Sequence, residues 1–225
     1  MKSEQLPLDL AWRAAHGRDD FLVAGPNKEA VAWIDRWPDW PSRFLLLTGP
    51  DGCGKTHLSH VWMERNKAAL ITSEELGMLP MDTLSNFARA PLVIENIGPD
   101  VPEENLFHLY NLVKEKGGSV LMTSRYNYSE WPLTLPDLIS RLGTVQVARI
   151  EEPDDELFAS VLVKLFADRQ LQVTPEILQY LMVRLERSFG QARHVVSALD
   201  DLSLAHKRRI TIPLVRDLLE KEGQL

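Results

Sequence analysis

The stretch Gly49-Pro50-Asp51-Gly52-Cys53-Gly54-Lys55-Thr56 restricts this chain more than any other, because it has the form G-x-x-x-x-G-K-T and directly follows the apolar run Phe44-Leu45-Leu46-Leu47. That order predicts a strand, a glycine-rich turn and the start of a helix. Gly52 and Gly54 let the backbone curl so that successive amide N–H groups converge on phosphate oxygens, and the following helix adds its positive end. Pro50, Gly52, Cys53 and Gly54 would line the phosphates, Lys55 would reach the terminal ones, and the Thr56 hydroxyl would ligate Mg2+. A chance glycine turn is the bland alternative, but eight matched residues in the right context favour nucleotide binding. Cys53, the single cysteine, is expected to fill space while the backbone does the binding.

With 225 residues the chain is long enough for one substantial core and a smaller appendage. No apolar run approaches the roughly 20 residues that span a bilayer, so no membrane partner is expected. The N-terminus lacks a basic segment followed by an apolar one, and one cysteine suits a reducing compartment, so a cytoplasmic location is expected. A net charge of -7 argues against a chain that grips DNA unaided. Lys207-Arg208-Arg209 reads as a solvated turn.

In chain order, residues 1–20 read as an N-terminal extension, 21–150 as an α/β domain and 151–225 as a small all-α domain. Leu6, Leu8 and Leu10 recur at every second position beside Pro7, so an extended peptide would present them on one side. Such a stripe either docks into an apolar groove of a partner or packs on its own domain. Asn27 is expected to cap a helix running through Ala30, Val31, Ile34 and Trp37. Strands are expected at 44–47, 68–71, 92–96, 119–123 and 145–149, with helices at 55–66, 103–116 and 136–142 between them. Five apolar strands alternating with helices predict a parallel sheet covered on both faces, with the ligand at the strands' carboxyl ends. Beyond residue 150 the period is helical throughout, with starts expected at Pro153, Thr174-Pro175 and Thr211-Ile212-Pro213.

A phosphate-loop enzyme holds Mg2+ through a strand-end carboxylate and often activates water with a second one. Here Glu95 and Asn96 occupy those places. Glu95 can assist the metal, but the amide of Asn96 has no useful basicity, so slow intrinsic hydrolysis is expected.

The sheet, loop and helical lid together resemble the AAA+ superfamily, in the branch of the replication initiator DnaA, over nearly the whole chain. The resemblance implies a P-loop five-stranded parallel sheet with a C-terminal all-α lid. It implies sensor I at Thr123 and Ser124, an arginine finger acting in trans at Arg141 in Leu138-Ile139-Ser140-Arg141-Leu142, and a lid contact to phosphate from Arg193. It also places Gly25-Pro26-Asn27 over the base and ADP, or ATP, in the site. Gln5-Leu6-x-Leu8-x-Leu10 resembles the hexapeptide with which bacterial replication proteins bind the DNA polymerase III sliding clamp. The chain ends about where the initiator's helix-turn-helix domain would begin, so DNA is expected only indirectly, through the clamp.

That combination resembles the Hda (HdaA) family of initiator relatives, which bind the clamp and promote hydrolysis of initiator-bound ATP. A DnaA-type initiator is thus the implied partner, and self-association is compatible with the pattern. The rival reading is a helicase-loader-like ATPase whose own cycle drives work. One departure from the initiator branch is the sequence Thr123-Ser124-Arg125-Tyr126, which lacks a proline pair after sensor I and predicts a different loop there.

Overall fold

The computed structural model of the chain describes residues 23, 25–206 and 208–223. Gln5, Leu6, Leu8 and Leu10 lie outside them. Five strands, β1 (Phe44–Thr48), β2 (Ala69–Thr72), β3 (Pro91–Glu95), β4 (Ser119–Ser124) and β5 (Gln146–Arg149), form one sheet in the order β2-β3-β4-β1-β5. Every pairing is parallel. All the carboxyl ends therefore share one edge of the sheet.

Strand periodicity explains how this sheet is sealed. Phe44, Leu46, Leu92, Ile94, Val120 and Met122 enter one apolar cluster, while Leu45, Leu47, Val93 and Leu121 enter another on the opposite face. The first face is covered by α3 (Ser73–Met78), α4 (Met81–Phe87), α5 (Glu103–Lys116) and α6 (Pro136–Leu142). Across the sheet, α1 (Lys28–Asp35) and α2 (Lys55–Asn66) supply Val31, Ile34, Leu58 and Trp62. Trp40 stacks on Trp62 at 5.4 Å between ring centroids, so these indoles serve packing.

The expected helices over 55–66, 103–116 and 136–142 are present with those bounds. Two expectations need correction. Asn27 occupies the N-cap position of α1 but its side chain makes no capping bond; it is buried instead. The helix expected from Pro153 starts at Asp155, because the Asp154 carboxylate accepts from Leu157 N at 2.8 Å and so sets the first turn. The short helices α3 and α4 were not read from sequence. Their signal was nonetheless present, since Thr72 and Glu75 form a reciprocal capping box at the start of α3.

After β5 the chain is helical: α7 (Asp155–Asp168), α8 (Pro175–Arg184), α9 (Phe189–His206) and α10 (Ile212–Lys221). They surround their own apolar cluster, which includes Phe158, Leu162, Leu181, Val196 and Leu219. None of the described helices is long and apolar enough to cross a membrane.

Candidate phosphate site and the opposite edge of the sheet

The loop from Gly49 to Gly54 leaves β1 at the carboxyl edge and enters α2 at Lys55. Gly52 (φ 74°) and Gly54 (φ 103°) adopt left-handed backbone that a Cβ would disfavour. Gly49 (φ 157°) has no room for a side chain either: an added Cβ would stand 2.3 Å from Ile150 O. Lys55 is buried and folds back on the loop, donating to Gly49 O at 2.7 Å and Pro50 O at 2.8 Å. These carbonyl bonds hold a charged ammonium inside a ring of backbone dipoles, a state that anionic oxygens can replace without leaving the lysine unsatisfied. Burial pushes the Cys53 thiol up despite Lys55 beside it, which fits a packing role.

Glu95, at the end of β3, faces α2. Its Oε1 accepts from the Ser59 hydroxyl at 2.9 Å and lies 3.8 Å from His60 Nε2. Ser59 follows Thr56 by about one turn, so the carboxylate is held beside the helix that presents Thr56. Asn96 follows with φ 55°, a left-handed conformation asparagine tolerates. Its backbone N–H donates to the Thr123 hydroxyl at 3.1 Å, and Ile97 N–H donates to Thr123 O at 2.9 Å. Thr123 thus pins the turn after β3, while the Ser124 hydroxyl accepts from Tyr126 N. Both are buried at the end of β4.

The lid reaches the same edge. A Cβ on Gly52 would stand 2.9 Å from Gly190 N, so α9 begins directly against the glycine loop. Arg193 lies one turn into α9. Among the described residues its guanidinium has no hydrogen-bond or ion-pair partner, and its half-burial opposes the charge. A partly desolvated cation on the helix that begins against the phosphate loop suits an anionic ligand, so the residues present fit a bound nucleotide. Pro26 O accepts from Glu151 N at 2.9 Å, which fastens the Gly25–Asn27 turn to the exit of β5. A cavity of about 710 Å³ opens on this edge beside Gly49, lined also by Arg125, Tyr126, Arg149 and Glu151. No group of three or more His, Cys, Asp or Glu side chains gathers among the described residues. A P-loop cation needs none, being held by a hydroxyl, a carboxylate, phosphate and water.

Sequence reasoning missed three contacts here: Ser59 on Glu95, Gly190 against Gly52, and an exposed ion pair of 3.0 Å between Arg125 and Asp51. Each joins segments distant in sequence, and only Ser59 carried a local signal, as a hydroxyl on the helix after the loop.

Arg141 is not at this edge. It sits in the last turn of α6, exposed, with its guanidinium 5.8 Å over the Tyr110 ring. Tyr110 in turn stacks at 4.7 Å on Phe44, the first residue of β1. The length of β1, about 16 Å at ~3.3 Å per residue, separates that end from the glycine loop.

Comparison with known proteins gives a consistent picture. Residues 155–219 match the family model described as the lid domain of Hda. A Haemophilus influenzae protein, itself described only as uncharacterized, is 29% identical over 197 residues, covering 80% of this chain and 83% of its own. Domain III of the Thermotoga maritima replication initiation protein DnaA superposes with a TM-score of 0.80 at 19% identity, over 92% of this chain and 96% of that one. AMPPCP-bound DnaA from Aquifex aeolicus gives 0.68 at 15% identity, over 82% and 64% of the two chains.

Proposed function

We propose that this chain, which has the fold of DnaA domain III and whose residues 155–219 match the Hda lid model, is an Hda-type AAA+ protein that regulates replication initiation by stimulating hydrolysis of ATP bound to a DnaA-type initiator. An adenine nucleotide, ADP by this reading, is held between Lys55, Thr56 and the loop amides on the sheet and Arg193 on the lid. Thr56 and Glu95 would hold Mg2+ beside the phosphates. The bound nucleotide supplies anionic charge that joins sheet and lid, while Lys55 and Arg193 bind it and Thr123 fixes the Asn96 turn. Asn96 itself can orient water but not deprotonate it, which keeps turnover at this site slow.

The observation that carries the reading is the position of Arg141. An exposed guanidinium at the amino edge lies a strand's length from its own loop, which supports a role in another molecule's site. There it would stabilise charge developing on the transferred phosphoryl group, an effect on the order of 10³ to 10⁵ in rate for fingers supplied in trans. Gln5-Leu6-x-Leu8-x-Leu10 is the proposed clamp peptide, which brings the protein to DNA through the clamp.

The test is initiator ATP hydrolysis in the presence of DNA-loaded clamp. Arg141→Ala should remove the stimulation, and undiminished stimulation would reject the finger. Deleting residues 1–10 should abolish clamp pull-down and leave nucleotide binding intact; retained pull-down would reject the peptide.

A further inference from the structure

The helix that carries Arg141 is too short to hold its own shape. α6 has seven residues, and its N-cap residue, Leu135, supplies no side-chain cap. Two turns of isolated helix are marginal in water, so the direction of an arginine at the end depends on what fastens the helix. Leu138 and Leu142 anchor one face in the core. They fix depth, but two leucines on one stripe leave rotation and tilt to other contacts.

Those contacts come from α5, at both ends of α6. At the entrance, the Glu103 carboxylate accepts from Thr134 N at 3.0 Å, from the Thr134 hydroxyl at 2.9 Å and from Leu135 N at 2.7 Å. Partial burial alone would raise its pKa; these donors instead hold the carboxyl below its ordinary range. At the exit, the Thr144 hydroxyl donates to Arg141 O at 2.8 Å and lies 2.8 Å from the Tyr110 hydroxyl. Since the one Thr144 proton goes to a carbonyl that can only accept, Tyr110 must be the donor to Thr144. A directed chain therefore runs from Tyr110 O–H through Thr144 O–H to the backbone of Arg141. The Tyr110 ring also lies under the Arg141 guanidinium, and that ring is stacked on β1 through Phe44.

An aromatic platform suits a cation that must act elsewhere. A carboxylate partner would occupy the guanidinium's N–H donors and compete with phosphate, whereas a ring attracts the charge and leaves the donors free. Among the described residues, no carboxylate pairs with Arg141.

We infer that Tyr110 and Glu103 are positioning residues for Arg141, with α5 acting as a splint that presents the guanidinium to the initiator's ATP. This rests on the reading of Arg141 as a finger in trans. Glu103 lies two turns before Tyr110 on α5, so one rigid helix sets both ends of α6.

The test uses the full-length protein, DNA-loaded clamp and initiator carrying labelled ATP, titrating the regulator to obtain a maximal hydrolysis rate and a half-saturating concentration. Small misplacements of a catalytic group cost heavily in rate, so Tyr110→Leu and Glu103→Ala should lower the maximal rate on the order of tenfold, at unchanged half-saturation. Tyr110→Phe and Thr144→Val, which keep the ring and the core but break the directed chain, should lower it about threefold. These two mild variants keep the inference testable if Tyr110→Leu fails to fold. For Glu103→Ala, Tyr110→Phe and Thr144→Val the variant's own nucleotide affinity and thermal midpoint should stay near the parent values, whereas Tyr110→Leu, which truncates a buried ring, should lower the midpoint and leave the nucleotide affinity unchanged. Parental stimulation by both mild variants would overturn the inference, as would losses in them matched by lost nucleotide affinity or stability. An Arg141→Ala control separates the two levels: if it stimulates fully, the finger itself is rejected, whereas if it is inactive and the mild variants are not, only the positioning role is.

Discussion

The two edges of the sheet hold their cations in opposite ways. At the carboxyl edge, Lys55 is bonded to two carbonyls of its own loop and Arg193 has no partner among the described residues. Lys55 is buried among those carbonyls, and the half-burial of Arg193 opposes its charge. At the amino edge, Arg141 is exposed and lies over an aromatic ring at the end of a helix braced at both ends. One arrangement suits a ligand that enters and stays, the other a side chain that leaves its own molecule's surface to act in a neighbour's site. On the proposed function, retention and catalysis would be separated by the length of β1.

The largest effect should come from crossing the two edges. Lys55→Ala should weaken the protein's own nucleotide binding by two orders of magnitude or more, about 3 kcal/mol at 1.4 kcal/mol per factor of ten. Arg141→Ala should leave that affinity unchanged while removing roughly 10³-fold or more of the stimulated initiator hydrolysis. Equilibrium binding of a fluorescent nucleotide and single-turnover hydrolysis read the two quantities separately. If Arg141→Ala weakened the protein's own nucleotide binding, the edges would not be independent and the division drawn here would collapse.

A smaller effect should distinguish the two glycines where loop and lid meet. Gly52→Ala places a Cβ 2.9 Å from Gly190 N in a left-handed conformation at φ 74°. It should cost about 1–3 kcal/mol and loosen nucleotide binding by pushing α9 off the loop. The reverse change, Gly190→Ala, meets nothing closer than Gly52 Cα at 3.6 Å and should fall within about 0.5 kcal/mol of the parent. Thermal unfolding with and without nucleotide measures both. Equal effects would mean that the lid touches the loop without depending on it.

The sequence marked these edges unequally, for physical reasons. The glycine loop was legible because its function lies in backbone conformation, which glycine spacing encodes locally. The same holds for α5, whose apolar period through Leu106, Leu109, Tyr110 and Val113 and stop at Gly117 are local. The placement of Arg141 at the far edge needed the strand order, and the role of Tyr110 needed Phe44 and Thr144, residues remote in sequence that only the folded sheet brings together. Glu95 was readable as a strand-end carboxylate, whereas Ser59, its hydroxyl partner, is visible only once α2 lies against β3. Asn27 shows the converse failure. Its position before a helix predicted a cap, but packing buried the side chain and left α1 without that bond.

The smallest effect concerns Arg125, which stands in the loop after β4 and pairs with Asp51 of the glycine loop at 3.0 Å. Both side chains are largely exposed, so the pair should contribute only about 0–1 kcal/mol and be screened by salt. Arg125→Ala should therefore shift the thermal midpoint by no more than a few degrees at low ionic strength and by nothing measurable near 1 M salt, where the Debye length falls to about 3 Å. Nucleotide affinity should follow the same salt dependence if the pair merely steadies the loop. A loss of affinity that persisted at high salt would mean that Arg125 contacts the ligand directly. That outcome would add Arg125 to Lys55 and Arg193 as cations that bind the ligand at the carboxyl edge and sharpen the contrast with the exposed Arg141 at the other.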